Sequence, residues 1–263
     1  MTKVAICGAC GRLGSTVCDV VSEQTDMSLA FGVEVEGHCE IGGKTHDAEV
    51  VDDLTRVVDS IDVVVDFTHP KAAANHASIC AEHGKRIVIG TTGLGDAEVN
   101  ILEKAAEKVA VVFSPNMSVG VNFLFRLADL LGRAIPKSFD VEIIESHHRM
   151  KKDAPSGTAA KLGKILVDAR EIEETIYGRE GLIGERPQSQ LAIHTIRGGD
   201  IVGEHTMLFV GDGERFEVTH RAHSRRTFAA GVPFAVRFVM EAKPALYDMM
   251  DVLGLHAMTP KTD

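Results

Sequence analysis

His147, His148, Arg149, Lys151 and Lys152 put five potentially cationic side chains into six consecutive positions of a chain whose formal net charge is −10. An acidic protein that binds an anion must gather its cations locally, so a run of this density marks a place for one. The adjacent histidines set it apart from an ordinary solvated charge run. Histidine titrates nearest neutral pH and can both attract an anion and exchange a proton with it. The following Ala154-Pro155-Ser156-Gly157-Thr158 reads as a helix start, with Ser156 as N-cap and the first amides offered to an anion. Two anion-binding features side by side point to a small dicarboxylate.

A second set of residues suits a different anion. Gly8-Ala9-Cys10-Gly11-Arg12-Leu13-Gly14 follows the apolar residues 4–7 and opens onto helix-forming residues. Glycines in such a loop permit a tight turn, a close backbone approach to a pyrophosphate, and close helix–strand packing. The helix beyond would turn its N-terminal amides toward the phosphates. Glu34, twenty positions after Gly14, ends a second strand-like run, where a carboxylate accepts hydrogen bonds from an adenosine ribose. Gly90-Thr91-Thr92-Gly93 and Ser114-Pro115-Asn116-Met117 follow two further apolar runs. In an open parallel sheet, ligands bind outside the carboxyl ends of the strands, where both loops fall.

The elements that must position these residues follow from hydrophobic period. Residues 4–7, 29–33, 61–67, 87–89 and 110–113 read as buried strands, with helices over 71–83 and 96–108. Such alternation predicts an α/β fold with a Rossmann-type, doubly wound parallel sheet. A helix is expected over 119–134, a strand over 139–146 and a long helix over 157–176. Three strand-like runs follow at 191–196, 205–210 and 215–220, with Gly211-Asp212-Gly213 as a hairpin turn between the last two. Strands without intervening helices predict a second, α+β domain built on a mixed sheet. The chain reads as helical again from Thr227.

Composition narrows the function classes. Hydrophobic residues make up 44% and charged residues 25%, ordinary for a globular protein. The net negative charge argues against nucleic-acid binding, and no apolar run approaches the roughly 20 residues that span a bilayer. The opening Met1–Ile6 goes straight into a strand-like run, so a signal peptide is not expected and a cytoplasmic location is predicted. All five cysteines lie in the first third in an odd number, unlike a disulfide framework. Cys7-Gly8-Ala9-Cys10 has C-x-x-C spacing, but no second ligand pair follows it, and no metal is predicted.

Glu145-Ser146-His147-His148-Arg149-Met150-Lys151-Lys152-Asp153-Ala154-Pro155-Ser156-Gly157-Thr158 resembles the E-x-H-H-R-x-K-x-D-A-P-S-G-T segment of the 4-hydroxy-tetrahydrodipicolinate (dihydrodipicolinate) reductase family. Gly90-Thr91-Thr92-Gly93, 116–122 and 199–206 also resemble family segments, so the likeness covers nearly the whole chain. It implies a dinucleotide-binding domain at 1–117 with 228–263, and a substrate-binding and oligomerisation domain at 118–227 that builds a homotetramer. The cofactor would contact Gly8, Ala9, Cys10, Gly11, Arg12, Leu13 and Glu34, with Gly90, Thr91, Thr92, Ser114, Pro115, Asn116 and Met117 flanking the nicotinamide. His147 matches the family's catalytic proton donor/acceptor and Lys151 its proton donor. His148, Gly157 and Thr158 match contacts to a substrate carboxylate. The implied chemistry, in the diaminopimelate route to lysine, is loss of water from a cyclic hydroxy-imine, then hydride addition at C4 of the conjugated ring. Protonation of the enamine completes tetrahydrodipicolinate.

Many relatives carry Arg directly after the acidic ribose residue; here the position is Val35. With no adjacent cation to meet a 2′-phosphate, NADH is expected to be preferred and NADPH to remain usable, since Arg12 could reach across. Another two-domain NAD-dependent dehydrogenase of a small carboxylate would account for the glycine loop but not for the 145–158 run. A non-catalytic NAD-sensing protein would need the cofactor site alone.

Overall fold

The computed structural model describes residues 1–258; residues 259–263, the end of the segment expected to rejoin the first domain, lie outside the described residues. The described residues form two compact units, Met1–Val119 with Arg226–Met258, and Gly120–Arg225. In chain order the first unit runs β1 (Thr2–Cys7), α1 (Gly14–Ser22), β2 (Met27–Val33), β3 (Lys44–Thr45), β4 (Ala48–Val51), β5 (Val63–Asp66), α2 (Pro70–Glu82), β6 (Arg86–Ile89), α3 (Asp96–Ala106) and β7 (Ala110–Phe113). Then come α4 (Val119–Ala134), β8 (Asp140–His147), α5 (Gly157–Arg170), β9 (Glu174–Ile176), β10 (Gln190–Arg197), β11 (Gly203–Gly211) and β12 (Glu214–Ala222). The chain ends its described part with α6 (Val232–Glu241), β13 (Ala245–Tyr247) and α7 (Met249–Val252).

The first unit holds an eight-stranded sheet in the order β13-β7-β6-β5-β1-β2-β4-β3. Within this sheet, only the β3–β4 pair is antiparallel among the described strands. Val4, Ala5, Ile6 and Cys7 are wholly buried, as are Val63, Val64 and Val65. A strand covered on both faces has to read as a continuous apolar run, which is why these segments lack polar alternation. From β1 the chain winds outward first through β2 and later through β5, β6 and β7. The topological switch therefore falls between β1 and β5, where the carboxyl ends leave a crevice.

The second unit holds a five-stranded mixed sheet, β12-β11-β8-β10-β9. β8, β10 and β9 run parallel, while β11 is antiparallel to β8 and β12. Gly211 pairs with Glu214, so the predicted hairpin turns through Asp212 and Gly213, the latter at φ +83° where glycine is favoured. Along β8, Val141, Ile143, Glu145 and His147 alternate onto one buried face, a period of two that puts Glu145 and His147 on the same side.

The structure corrects three expectations. The helix expected to run to residue 176 ends at Arg170, because Glu171 takes a left-handed conformation at φ +57°. The Arg170 guanidinium anchors that end, donating to the carbonyls of Gly132, Ile135, Pro136 and Phe139. Residues 174–176 then pair with β10 as a strand. The tail from Thr227 is not helical throughout: beyond Pro244, Ala245–Tyr247 adds a parallel strand beside β7. The short strands β3 and β4, missed in the sequence, extend the sheet beyond β2. No helix among the described residues is long and apolar enough to cross a membrane.

Candidate active site

In the first unit, register brings the predicted cofactor residues to one edge of the sheet. Cys7 pairs with Val33 and Asp66, Asp66 with Ile89, and Ile89 with Phe113. The residues that follow these strand ends, Gly8, Glu34, Phe67, Gly90 and Ser114, therefore emerge side by side. Gly8 has φ +78°, and a Cβ there would lie 2.7 Å from the Phe67 carbonyl oxygen. A Cβ on Gly14 would lie 1.8 Å from the Gly8 oxygen, so the start of α1 can press against the loop only as glycine. The Cys10 N–H donates to Glu34 Oε1 at 2.7 Å, which places the acidic partner directly on the glycine loop.

A cleft of about 480 Å³ opens beside Gly8 and Gly11, walled by Glu34, Val35, Leu54, Phe67, His76 and Ile79 among others. Its apolar walls suit a flat aromatic ring, and the carboxylate at one end suits ribose hydroxyls. The cradle therefore fits the adenosine half of a dinucleotide, with Gly8 and Gly11 in its wall. Arg12 and Val35 are exposed, Ala9 is buried and Cys10 and Leu13 are half-buried. Sequence reasoning missed Asp66, which is wholly buried beneath the loops. Its Oδ1 accepts from the Thr68 N–H, the Thr68 hydroxyl and the Thr91 hydroxyl, and its Oδ2 lies 2.6 Å from His76 Nδ1. The Thr91 side chain is thus spent on fixing its loop, and the Ser114 hydroxyl donates to the Asn116 carbonyl. Met117 is buried, while Thr92 and Pro115 are exposed. Cys7, Asp66 and His76 lie close enough to share an ion, but Asp66 is already engaged. Burial, with Asp66 nearby, pushes the Cys7 thiol well above its ordinary 9.0, away from the thiolate that binds metal.

In the second unit, β8 ends on His147, and the cationic run turns away beyond it. The Gly198 N–H donates to the His147 carbonyl and the Arg149 N–H to the Gly199 carbonyl, which fixes the turn. His147 is 8% exposed; its Nδ1 lies 2.6 Å from Glu145 Oε2. Glu145 also accepts the Ser156 N–H at 3.0 Å, so one buried carboxylate joins the histidine to the start of α5. Ser156 caps that helix as predicted, accepting from the Ala159 N–H at 3.2 Å. Lys151 Nζ pairs with Asp153 Oδ1 at 2.9 Å. His148 and Thr158 are half-buried and Gly157 is exposed. Arg149, Met150 and Lys152 point outward and are exposed.

The domain described as dihydrodipicolinate reductase, N-terminus matches residues 2–117, and its C-terminal counterpart matches residues 120–253. The chain belongs to the dihydrodipicolinate reductase family. Among relatives, the 4-hydroxy-tetrahydrodipicolinate reductase of Nitrosomonas europaea is 45% identical over 263 residues, covering 96% of this chain and 98% of that one. The enzyme of the same name from Hahella chejuensis is 45% identical over 266 residues, covering 97% and 100%. The dipicolinate-bound dihydrodipicolinate reductase of Paenisporosarcina sp. TG-14 superposes with a TM-score of 0.82 at 29% identity, covering 95% of this chain and 99% of that one. A diaminopimelate dehydrogenase of C. glutamicum shares the fold alone, with a TM-score of 0.56 at 14% identity.

Three histidines, His147, His205 and His220, lie close together in the second unit. His205 on β11 sits opposite Glu145 on β8 and His220 on β12, and its ring meets His147 edge-on at 5.2 Å between centroids. Its Nε2 is 3.0 Å from the Ser156 hydroxyl, while its Nδ1 is buried without a partner. Burial, with His147 beside it, pushes His205 down to about 3. Burial also lowers His147, against the opposing pull of Glu145. Because the folded value of His205 lies below its ordinary 6.5, the unfolded chain takes up the proton first as pH falls. Stability from this group is full above about pH 6.5 and declines toward pH 3, by roughly 1.4 kcal/mol per pH unit for one proton. Urea unfolding between pH 7 and 4 should show this slope in the parent and a shallower one in His205→Gln. Equal slopes would remove His205 as the source.

Gly203 explains part of the 199–206 segment. A Cβ there would lie 3.1 Å from His147 Nε2, tighter than ordinary van der Waals contact. Gly203→Ala is expected to lower kcat roughly tenfold by displacing the ring, since small misplacements of a reacting group are costly. Cofactor binding, measured by fluorescence titration with NADH, should stay at the parental value; loss of both together would point to a general folding defect.

Proposed function

We propose that this protein reduces 4-hydroxy-tetrahydrodipicolinate to tetrahydrodipicolinate in the diaminopimelate route to lysine, using a reduced nicotinamide dinucleotide. The observation that carries the reading is the arrangement around Glu145 in a chain of this family. The carboxylate receives the His147 ring on one oxygen and the Ser156 amide on the other. A proton-exchanging group and an anion-binding helix start are thus fixed to one buried atom set. The dipicolinate bound to the Paenisporosarcina reductase is a flat dicarboxylate, and a molecule of that kind suits the cations beside the start of α5.

The nicotinamide cofactor supplies hydride when bound. Gly8, Ala9, Cys10, Gly11, Arg12 and Leu13 would hold its pyrophosphate and Glu34 its adenosine ribose. Gly90, Thr91 and Thr92, with Ser114, Pro115, Asn116 and Met117, would border the nicotinamide. Thr91 and Ser114 would do so through the backbone, their hydroxyls being engaged. His148, Gly157 and Thr158 hold a substrate carboxylate. Lys151 gives a proton to the substrate and His147 exchanges one through Nε2. Fixed cations beside the ring favour the negative charge that develops there as the substrate is reduced.

NADH is the preferred cofactor in this reading and NADPH the poorer one. Dinucleotide binding falls to 1–117 with 228–263, and substrate binding to 118–227. The enzyme works in the cytoplasm as a homotetramer assembled through the second unit, whose sheet leaves Ile196, Val210 and Phe216 exposed. The test is NADH oxidation followed at its absorbance band with freshly generated substrate and, separately, with common keto acids. Turnover with the cyclic substrate alone is expected. Turnover confined to keto acids, or NADH binding without any turnover, overturns the assignment.

A further inference from the structure

We infer that Glu145 is a positioning residue that holds His147 with Nδ1 protonated, leaving Nε2 as the atom that exchanges the substrate proton. The inference rests on the proposed role of His147 and adds the residue that makes that role possible. Glu145 is wholly buried, yet every hydrogen bond it makes is one it accepts. Oε2 takes the His147 Nδ1 proton at 2.6 Å and an Arg197 Nη1 proton at 2.8 Å. Oε1 takes Arg197 Nη2 at 2.9 Å, the Ser156 N–H at 3.0 Å and the Thr195 hydroxyl at 3.2 Å.

An ionised carboxylate can only accept, so a ring nitrogen facing it must carry its proton. In a neutral imidazole that leaves the other nitrogen bare. Among the described residues nothing in the structure donates to or accepts from His147 Nε2, and the neighbouring position, Gly203, has no side chain to cover it. Arg197 keeps Glu145 ionised. Burial alone would raise the carboxyl, but the paired guanidinium bonds, then His147 and the Ser156 amide, hold it down at about 2. The same guanidinium donates to the Asp153 carbonyl at 2.6 Å, and Asp153 is the partner of Lys151. Glu145 therefore sets the His147 ring, the first residue of the α5 cap and, through Arg197, the segment beside Lys151.

The charged and titratable groups facing His147 are Glu145 on its own strand, Arg197 on β10, His205 on β11 and Lys151 in the following turn. Glu145 is the one that favours a charged ring. In Glu145→Gln, kcat should fall roughly 10- to 100-fold, the range seen when an orienting partner is removed. The acidic limb of the kcat/KM profile should move to lower pH, and the KM for NADH should hold. A purely structural role would not move the limb. The tautomer is read on the unmodified full-length enzyme by long-range proton–nitrogen NMR of its histidines, so the test survives if the variant does not fold. Protonated Nδ1 at His147 supports the inference. Protonated Nε2, or a Glu145→Gln enzyme with parental kcat and an unmoved limb, overturns it. His147→Ala separates the two levels: parental kcat there sinks the proton-exchange role itself, whereas a collapse there beside an unaffected Glu145→Gln sinks only the positioning role.

Discussion

Replacing His147 with alanine is expected to lower kcat by roughly 10²- to 10⁴-fold, the usual contribution of a positioned proton-transfer group. The KM for NADH should change little, because nothing in the glycine loop or the cleft beside it depends on this side chain. Lys151→Ala should behave similarly, with the proposed proton donor gone and Asp153 left without its partner. A loss in kcat and kcat/KM together, at constant cofactor affinity, is the pattern of an interaction made in the transition state. Both variants should fold: His147 packs at the end of β8 rather than in the centre of either core, and Lys151 lies in the turn beyond it. Steady-state kinetics with fresh substrate, with NADH titration as the control, checks both. Variants turning over at the parental rate would leave the second unit without its proposed chemistry.

The second large effect is in cofactor choice. NADH should exceed NADPH in kcat/KM by roughly 10- to 100-fold, corresponding to about 1.4–2.8 kcal/mol. The cleft that would take the adenosine ribose carries Glu34, Glu36, Asp52 and Asp53, and neither lysine nor arginine lines it. A single like-charge pair at 4 Å costs about 1 kcal/mol in water and about 4 kcal/mol near a protein surface, so several carboxylates around a 2′-phosphate reach the expected range. Val35 is 71% exposed, and Val35→Arg should narrow the ratio by placing a cation beside the phosphate. Added salt should narrow it too, through screening. A higher kcat/KM with NADPH in the parent would reverse the assignment.

Much of this was legible in the residues. Continuous apolar runs such as 63–65 read as strands covered on both faces and are buried strands, and glycines 8 and 14 sit where a Cβ would strike backbone. Ser156 read as a cap and acts as one. Other features left no local trace. β13 is three residues long and forms only because β7 offers an open edge, so no periodicity could announce it. The end of α5 is set by Arg170 reaching carbonyls more than thirty positions away. Thr91 read as a cofactor contact from its loop, whereas its hydroxyl turns inward to Asp66, a partner 25 positions earlier.

The order of residues by itself determined the class of fold and the two segments proposed to bind anions, because these depend on side-chain type, hydrophobic period and short-range spacing. Tertiary structure alone decided which guanidinium neutralises Glu145, that this carboxylate also receives the Ser156 amide, and that buried His205 reaches the Ser156 hydroxyl. Those relations join β8, β10, β11 and the start of α5 across separations of 11 to 52 positions. A hydrogen bond depends on where two backbones come to rest, and sheet pairing rather than sequence neighbourhood brings these four segments together.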